Sequence, residues 1–196
     1  TTAGFSIVRW TGTGSAGTIP HGLGAAPEFI FVKNLEDGTK NWNIYPTILG
    51  NNYLELNSTN STFSGSTYFN NTAPTANVFS VGSAGSTNAL DDDFIAYCFH
   101  SVEGYSKVGS SYQGNATNYP DGKFIYTGFR PALVMVKASS TNSNWVVTDN
   151  KRASSFNGDT ARLYWNTAGQ ETAYNSNRNV ELFSNGFMVH GNSASD

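Results

Sequence analysis

Apolar residues along the chain occur in short runs that are rich in Val, Ile, Phe, Tyr and Trp. Clusters of Gly, Asn, Ser or Pro separate the runs, and no long stretch has apolar residues at the spacing of a helix. The pattern predicts an all-β protein with very little helix. Strands are predicted at residues 5–10, 29–33, 42–45, 53–56, 77–81, 93–100, 105–112, 123–127, 133–137, 145–149, 161–165 and 180–190, the last with a turn at 184–186.

Many short strands separated by turn residues are typical of antiparallel architectures, so we expect a β-sandwich of jelly-roll or lectin-like type. The run "FIAYCFH" at residues 94–100 is apolar on both of its alternating faces. A sandwich strand usually exposes one face to water, so this run indicates a strand covered on both sides at a module or subunit interface.

Several stretches occur twice in the same order. "GAAPEFIFVK" at residues 24–33 and "GFRPALVMVK" at 128–137 share Gly, Pro, Val and Lys at equal spacings. Downstream, "NWNIY" at 41–45 is followed by "YLELN", and "NWVVT" at 144–148 is followed by "RLYWN". This order predicts two tandem pseudo-repeats, residues 1–103 and 104–196. They could form two sandwiches or halves of one, and the nearly complete strand set of each favours two.

The second pseudo-repeat is predicted to lack its last strand. In the first, "FSVGSAGSTN" at residues 79–88 is followed by "FIAYCFH", whereas the sequence given stops at "FMVHGNSASD", residues 187–196. We expect either a longer protein or a strand supplied by another chain through β-augmentation.

Composition narrows the choice of partners. Charged residues make up 13% of the chain, against about 25% in an average soluble domain, and the net charge is −3. Acidic and basic residues are interspersed, so we expect no nucleic-acid partner. There is no long apolar run, so we expect no membrane insertion. A single cysteine, Cys98, excludes an internal disulfide.

Candidate catalytic and metal-binding chemistry is sparse. Asp91, Asp92 and Asp93 form an acidic turn that could offer oxygen ligands to calcium, but the spacing matches no EF-hand loop. Cys98 lies within an apolar strand, where a thiol is an inert core residue and not a nucleophile. No phosphate-binding or nucleophile-elbow motif is present. We predict no enzyme activity and no cofactor.

Aromatic residues in polar loops are the candidates for ligand binding. A tyrosine ring can stack on the apolar face of a sugar while neighbouring Asn side chains bind its hydroxyl groups, although such a ring can equally cap the end of a sandwich. The candidates are Tyr68, Tyr112, Tyr119 and Tyr174.

Longer motifs, among them "GFSIVRWTGTGSAGTIPHGLGAAPEFIFVKN", "FIAYCFHSVEGYSKVGS" and "IYTGFRPALVMVK", resemble a duplicated domain of bacteriophage tail-fibre and tail-associated virion proteins, often from phages of aquatic bacteria. The resemblance implies a structural or adhesion module on the virion surface, bound to other virion proteins and forming a homo-oligomer, with a trimer favoured. It also implies contact with host-surface glycan. The alternative is a secreted bacterial carbohydrate-binding or lectin-like module.

Overall fold

The computed structural model describes residues 3–109, 112–114, 121–152, 161–171 and 178–191. Within these residues the chain is mostly β, and the longest helices have four residues. No helix of the described chain is therefore long and apolar enough to cross a membrane. The chain divides into unit 1, Thr1–Asn57 with Thr62–Gly109, and unit 2, Ser58–Ser61 with Ser110–Asp196. The boundary predicted between residues 103 and 104 stays a prediction.

Unit 1 contains eight strands in its described part. Six form an antiparallel sheet in the order β1-β8-β3-β4-β5-β6, and β2 pairs with β7 in a second sheet. The elements are β1 Phe5–Thr11, β2 Gly17–Pro20, β3 Phe29–Asn34, β4 Asn43–Pro46, a 3-10 helix Thr47–Leu49, β5 Asn52–Glu55, β6 Phe63–Ser64, α1 Ser66–Phe69, β7 Val78–Val81, α2 Gly85–Asn88 and β8 Asp93–Phe99.

Strand β8 is an interior strand of the larger sheet, because it pairs with β1 on one side and with β3 on the other. Side chains of a strand point alternately to its two faces. Phe94, Ala96 and Cys98 therefore share the inner face, where all three are fully buried. They join a core that includes Ile30, Val32, Phe79 and Tyr53.

Unit 2 has two antiparallel sheets of three strands in its described part, with the orders β10-β11-β12 and β13-β14-β9. Val134, Val180 and Leu182 form a small core. The strands are β9 Lys123–Tyr126, β10 Leu133–Val136, β11 Val146–Asp149, β12 Arg162–Tyr164, β13 Arg178–Phe183 and β14 Gly186–Gly191.

Residues 58–61 belong to unit 2 although they follow β5 of unit 1 in the chain. The backbone N–H of Ser143 donates to the Thr59 carbonyl (2.7 Å), and Lys137 Nζ donates to the same oxygen (3.4 Å). The N–H of Ser61 donates to Asn142 Oδ1 (2.9 Å). This segment is therefore bound through main-chain groups to the loop that precedes β11.

Strands β3, β4 and β5 and strands β10, β11 and β12 have the same registers. Phe31 lies opposite Ile44, which lies opposite Leu54. At the corresponding positions of unit 2, Met135 lies opposite Val147, which lies opposite Leu163. The pairs β2–β7 and β9–β14 also correspond, with Ile19 opposite Phe79 and Ile125 opposite Phe187.

An asparagine side chain bridges two neighbouring segments in unit 1. Asn57 Oδ1 accepts a hydrogen bond from the backbone N–H of Trp42 (3.0 Å), and Asn57 Nδ2 donates to Asn41 Oδ1 (2.8 Å). The N–H of Leu56 donates to the Trp42 carbonyl (3.0 Å). We call this arrangement an asparagine bridge.

The same bridge occurs in unit 2. Asn166 Oδ1 accepts from the N–H of Trp145 (2.9 Å), and Asn166 Nδ2 donates to Asn144 Oδ1 (2.8 Å). The N–H of Trp165 donates to the Trp145 carbonyl (3.1 Å). The lengths of the three hydrogen bonds agree within about 0.1 Å between the two units. Both three-strand arrays therefore have the same hydrogen-bond pattern at one end.

One local prediction was wrong. The strand predicted at residues 105–112 is absent from its described part, where a turn joins Val102 to Ser106 and irregular backbone follows. The stretch "GTGSAG" at residues 12–17 leads from one sheet to the other, because β1 pairs with β8 and β2 with β7.

The other predicted strands are confirmed within one or two residues at each end. The pattern did not reveal β2, β6, α1 or α2, which are four residues long or shorter. The sequences of β2, β6 and α2, which are GTIP, FS and GSTN, contain at most one large apolar residue each, so they show no period.

Candidate functional site

The outer face of the larger sheet in unit 1 is rich in aromatic side chains. Alternation in β1, β8 and β3 places residues of odd number on this face, opposite the buried core. Its first row is Phe5, Phe99 and Phe29. The second row is Ile7, Tyr97 and Phe31, and the third is Arg9, Ile95 and Lys33. We call these nine residues, with Trp42, the aromatic face.

The rings of the aromatic face contact one another in a continuous series. Phe5 and Phe99 lie with centroids 4.9 Å apart, and Phe99 and Phe31 are 5.8 Å apart in an edge-to-face arrangement. Phe29 packs edge-to-face on Phe31 at 5.0 Å. Offset and edge-to-face pairs at these distances are the favourable geometries, so the rings support one another.

Trp42 extends the series at the end of β4. Its ring stacks on Tyr97 with centroids 6.3 Å apart. The asparagine bridge from Asn57 holds the Trp42 backbone, so the ring position depends on β5 as well as on β4.

The aromatic face is apolar and remains partly open to solvent. The phenylalanine and tyrosine rings are half-buried, and Ile7 is 56% exposed. Exposed apolar surface of this kind, when contiguous, marks a contact with a partner. In β8, the strand predicted to be covered on both sides, the inner face is buried and the outer face is half-buried.

Charged groups lie at two ends of the aromatic face. At one end Arg9 Nη2 donates to Asp93 Oδ2 (2.8 Å), and Lys33 lies on the same row. At the other end Glu28 Oε2 accepts from the backbone N–H of Ser101 (2.6 Å) and lies 3.8 Å from His100 Nδ1. An apolar centre with a charged rim is the composition of a protein contact surface.

Tyr68, a predicted ligand-binding residue, lies on α1 against the core. Its ring stacks on Tyr53 with centroids 4.2 Å apart. Burial, followed by the hydrogen bond to Tyr68, raises the pKa of Tyr53. One face of the Tyr68 ring is therefore occupied by protein, so a sugar could stack only on the other.

Of the three other predicted ligand-binding tyrosines, the structure describes Tyr112 alone. Tyr112 is half-buried, and burial raises the pKa of its phenol. Tyr119 and Tyr174 lie outside the described residues. The tyrosine prediction stays a prediction.

The three aspartates predicted as weak calcium ligands, Asp91, Asp92 and Asp93, differ in their surroundings. Asp92 Oδ2 accepts from Asn34 Nδ2 (2.8 Å), whereas Asp93 binds Arg9 and accepts from Thr11 Oγ1 (3.0 Å). Asp91 is exposed and has a positive φ of 64°. Among the residues that the structure describes, no group of three or more His, Cys, Asp or Glu side chains could hold a metal ion.

Cys98 and His190 are among the buried groups with nucleophilic or acid–base chemistry. Burial raises the pKa of the Cys98 thiol to about 11 and keeps it protonated, although a hydrogen bond with Ser6 acts in the opposite direction. His190 Nε2 lies 3.1 Å from Glu181 Oε2, and the His190 side chain has no exposed surface. This pair joins β13 to β14, away from solvent.

Sequence reasoning missed the aromatic face as a unit and both asparagine bridges. The alternation in "FIAYCFH" indicated the apolar outer side of β8, but not that Phe5 and Phe29 flank Phe99. The paired stretches "YLELN" and "RLYWN" carried the signal for the bridges, since each ends on the bridging asparagine.

The chain is thus a mostly β protein of several antiparallel sheets, one of which has a half-buried aromatic face. The whole chain, residues 1–196, matches the model of a family described as "Domain of unknown function (DUF7483)". The chain therefore belongs to that family. No curated protein and no solved structure matches it.

Proposed function

We propose that this chain is a non-enzymatic structural and adhesion module of a bacteriophage virion, located at the virion surface as part of a tail fibre or similar appendage. The aromatic face carries the proposal, because its half-exposed rings and charged rim are suited to contact with a neighbouring subunit. The resemblance of the sequence to tail-associated virion proteins is the reason for assigning the module to a bacteriophage particle.

We also propose that the two units are duplicated β-sandwich modules. The equal registers of β3–β5 and β10–β12 support this, as do the two asparagine bridges. Duplication suits an elongated appendage, in which similar modules follow one another along the chain.

Purified phage particles test the virion assignment. Mass spectrometry is expected to detect the protein at a constant copy number per particle, in a multiple of three if the assembly is a trimer. Its absence from particles, together with its presence in the culture medium of uninfected bacteria, would overturn the assignment in favour of a secreted carbohydrate-binding module.

Contact with host-surface glycan needs a separate measurement. We expect the protein to bind some members of a glycan array, and Tyr112→Ala to weaken that binding while circular dichroism shows that the variant is still folded. Binding that is lost only with Phe31→Ala would place the sugar on the aromatic face. No binding to any glycan would leave protein contact as the role of the module.

A further inference from the structure

The aromatic face has a different composition at its two ends. Its first row consists of phenylalanines, and its second row, in the middle, is uncharged. Its third row has a cation on each side of Ile95, with Arg9 on β1 and Lys33 on β3. The face is therefore cationic at one end and aromatic at the other, which gives it a direction along its strands.

The charges at the two ends are accessible to a partner. The Arg9 side chain is 63% exposed and forms an ion pair with Asp93. Lys33 Nζ donates to the Lys40 carbonyl, which is a neutral group, so this bond leaves the ammonium charge in place. At the other end, beyond the first row, the carboxylate side chain of Glu28 is 38% exposed. The third row thus carries two cations for one carboxylate, and the opposite end is bordered by an anion.

Exposure falls across the sheet along the second row. Ile7 on β1 is 56% exposed, and Tyr97 and Phe31 are half-buried. Ile44 and Leu54, which follow Phe31 in register on β4 and β5, are buried. The accessible part of this side is therefore three strands wide, or roughly 15 Å, since neighbouring strands lie about 4.8 Å apart. It covers on the order of a few hundred Å² per copy, less than the roughly 800 Å² of a standard interface.

We propose that the aromatic face binds the same face of a second copy of this chain, with the strands of the two copies antiparallel. A two-fold axis that runs across the strands, between the two sheets, produces this arrangement. The second row of each copy then faces the second row of its partner, and the third row faces the first. The inference rests on the proposed function for the use of the aromatic face as a contact surface, and adds the partner and its orientation.

The charge distribution favours this orientation over the reverse. With the third row against the first, Arg9 and Lys33 lie against the phenylalanine rings of the partner, and a cation on the face of an aromatic ring is a favourable contact. Glu28 of the partner borders the same end. With the third row against the third row, four cations would meet, and like charges brought together in an interface are strongly unfavourable.

The mass of the protein in solution is the first test. Light scattering after size exclusion is expected to give about 42 kDa at high concentration, twice the 21.1 kDa of one chain. Because the interface is small, the dimer is expected to dissociate on dilution, with a dissociation constant on the order of 10 μM.

Cross-linking tests which residues face each other. A thiol-reactive cross-linker that spans about 10 Å, the distance between two stacked sheets, is expected to join two Ile7→Cys chains. Leu90→Cys is the matched control, because Leu90 is 65% exposed but lies in the loop before β8, outside the aromatic face. It is expected to stay uncross-linked. Both variants keep the buried Cys98, so their background reaction is the same.

A mixture of Arg9→Cys and Lys33→Cys chains tests the direction of the strands. The proposed arrangement keeps these positions apart, so the mixture is expected to give no cross-linked pair. A cross-linked pair from this mixture, without one from Ile7→Cys, would show that the third rows face each other and would overturn the antiparallel orientation.

The charged variant Ile7→Lys separates failure of this inference from failure of the proposed function. A trimer that Ile7→Lys dissociates would confirm the aromatic face as a contact surface and show that the two-fold pairing is wrong. A dimer that Ile7→Lys leaves intact would contradict both. A monomer well above the expected dissociation constant would overturn the pairing and leave the face to a different virion protein.

Discussion

Asn57 and Asn166 each link two neighbouring chain segments at one end of a three-strand array. Each satisfies a backbone N–H of a tryptophan and a neighbouring asparagine oxygen at the same time. Removing such a group leaves its partners to bond with water, which replaces exposed bonds more completely than part-buried ones.

We therefore expect Asn166→Ala to destabilise the protein by about 1 kcal/mol and Asn57→Ala by less, because water can replace the exposed bonds of Asn57 more easily than the part-buried bonds of Asn166. Chemical denaturation measures the change. Asn166→Asp is the control, because it keeps the acceptor for the N–H of Trp145 and loses only the donor to Asn144. Two alanine variants within about 0.5 kcal/mol of the wild type would contradict a structural role for the bridges.

The reactivity of the Cys98 thiol tests whether the inner face of β8 is buried. With its pKa raised to about 11, the thiol stays protonated at mildly alkaline pH, and the thiolate is the reactive form. We expect no reaction with a thiol reagent in the native protein and complete reaction in denaturant. Rapid native labelling would show that β8 is more accessible than the structure indicates.

The same shift predicts the pH dependence of stability. Because the pKa is higher in the folded than in the unfolded protein, the Cys98 contribution is intact below the ordinary thiol pKa. It is lost as pH rises from that value to about 11. Cys98→Ala is expected to remove this part of the alkaline loss of stability, as measured by denaturation across that pH window.

At the level of elements, the contrast between β3 and β10 is the main feature. An interior strand bonds to neighbours on both sides, whereas an edge strand leaves alternate main-chain groups unpaired. The positions of both strands were predictable from their apolar runs and Gly-x-x-Pro entries, but their neighbours were not, because pairing joins segments far apart in the chain.

Hydrogen exchange of the unmodified protein tests this contrast directly. All amides of β3 within residues 30–33 are expected to exchange slowly, whereas alternate amides of β10 within residues 133–136 exchange rapidly. β8 is the internal reference, since it also has two bonded neighbours. Uniformly slow exchange along β10 in dilute protein would contradict an open edge.

At the level of the whole molecule, the aromatic face is the surface through which we propose that the protein assembles. Ile7 lies in its middle row opposite Tyr97 and is more than half exposed, so a charge there disturbs a contact without opening the core.

Ile7→Lys is therefore expected to shift the assembly towards the monomer of 21.1 kDa, with a change in stability of within about 0.5 kcal/mol. Light scattering after size exclusion gives the mass. Leu90→Lys is the matched control, because Leu90 is 65% exposed and lies in the loop before β8. Loss of assembly with both variants would point to a general effect of added charge.

The sequence by itself determined the class of structure and most of its strands, because apolar alternation and turn residues act over a few positions. It also determined that both sides of β8 are apolar. Only the tertiary structure decided that β8 lies between β1 and β3, two long-range pairings that place Phe5 and Phe29 beside Phe99. It also decided that residues 105–109 form no strand, since a strand needs a partner and local pattern cannot supply one.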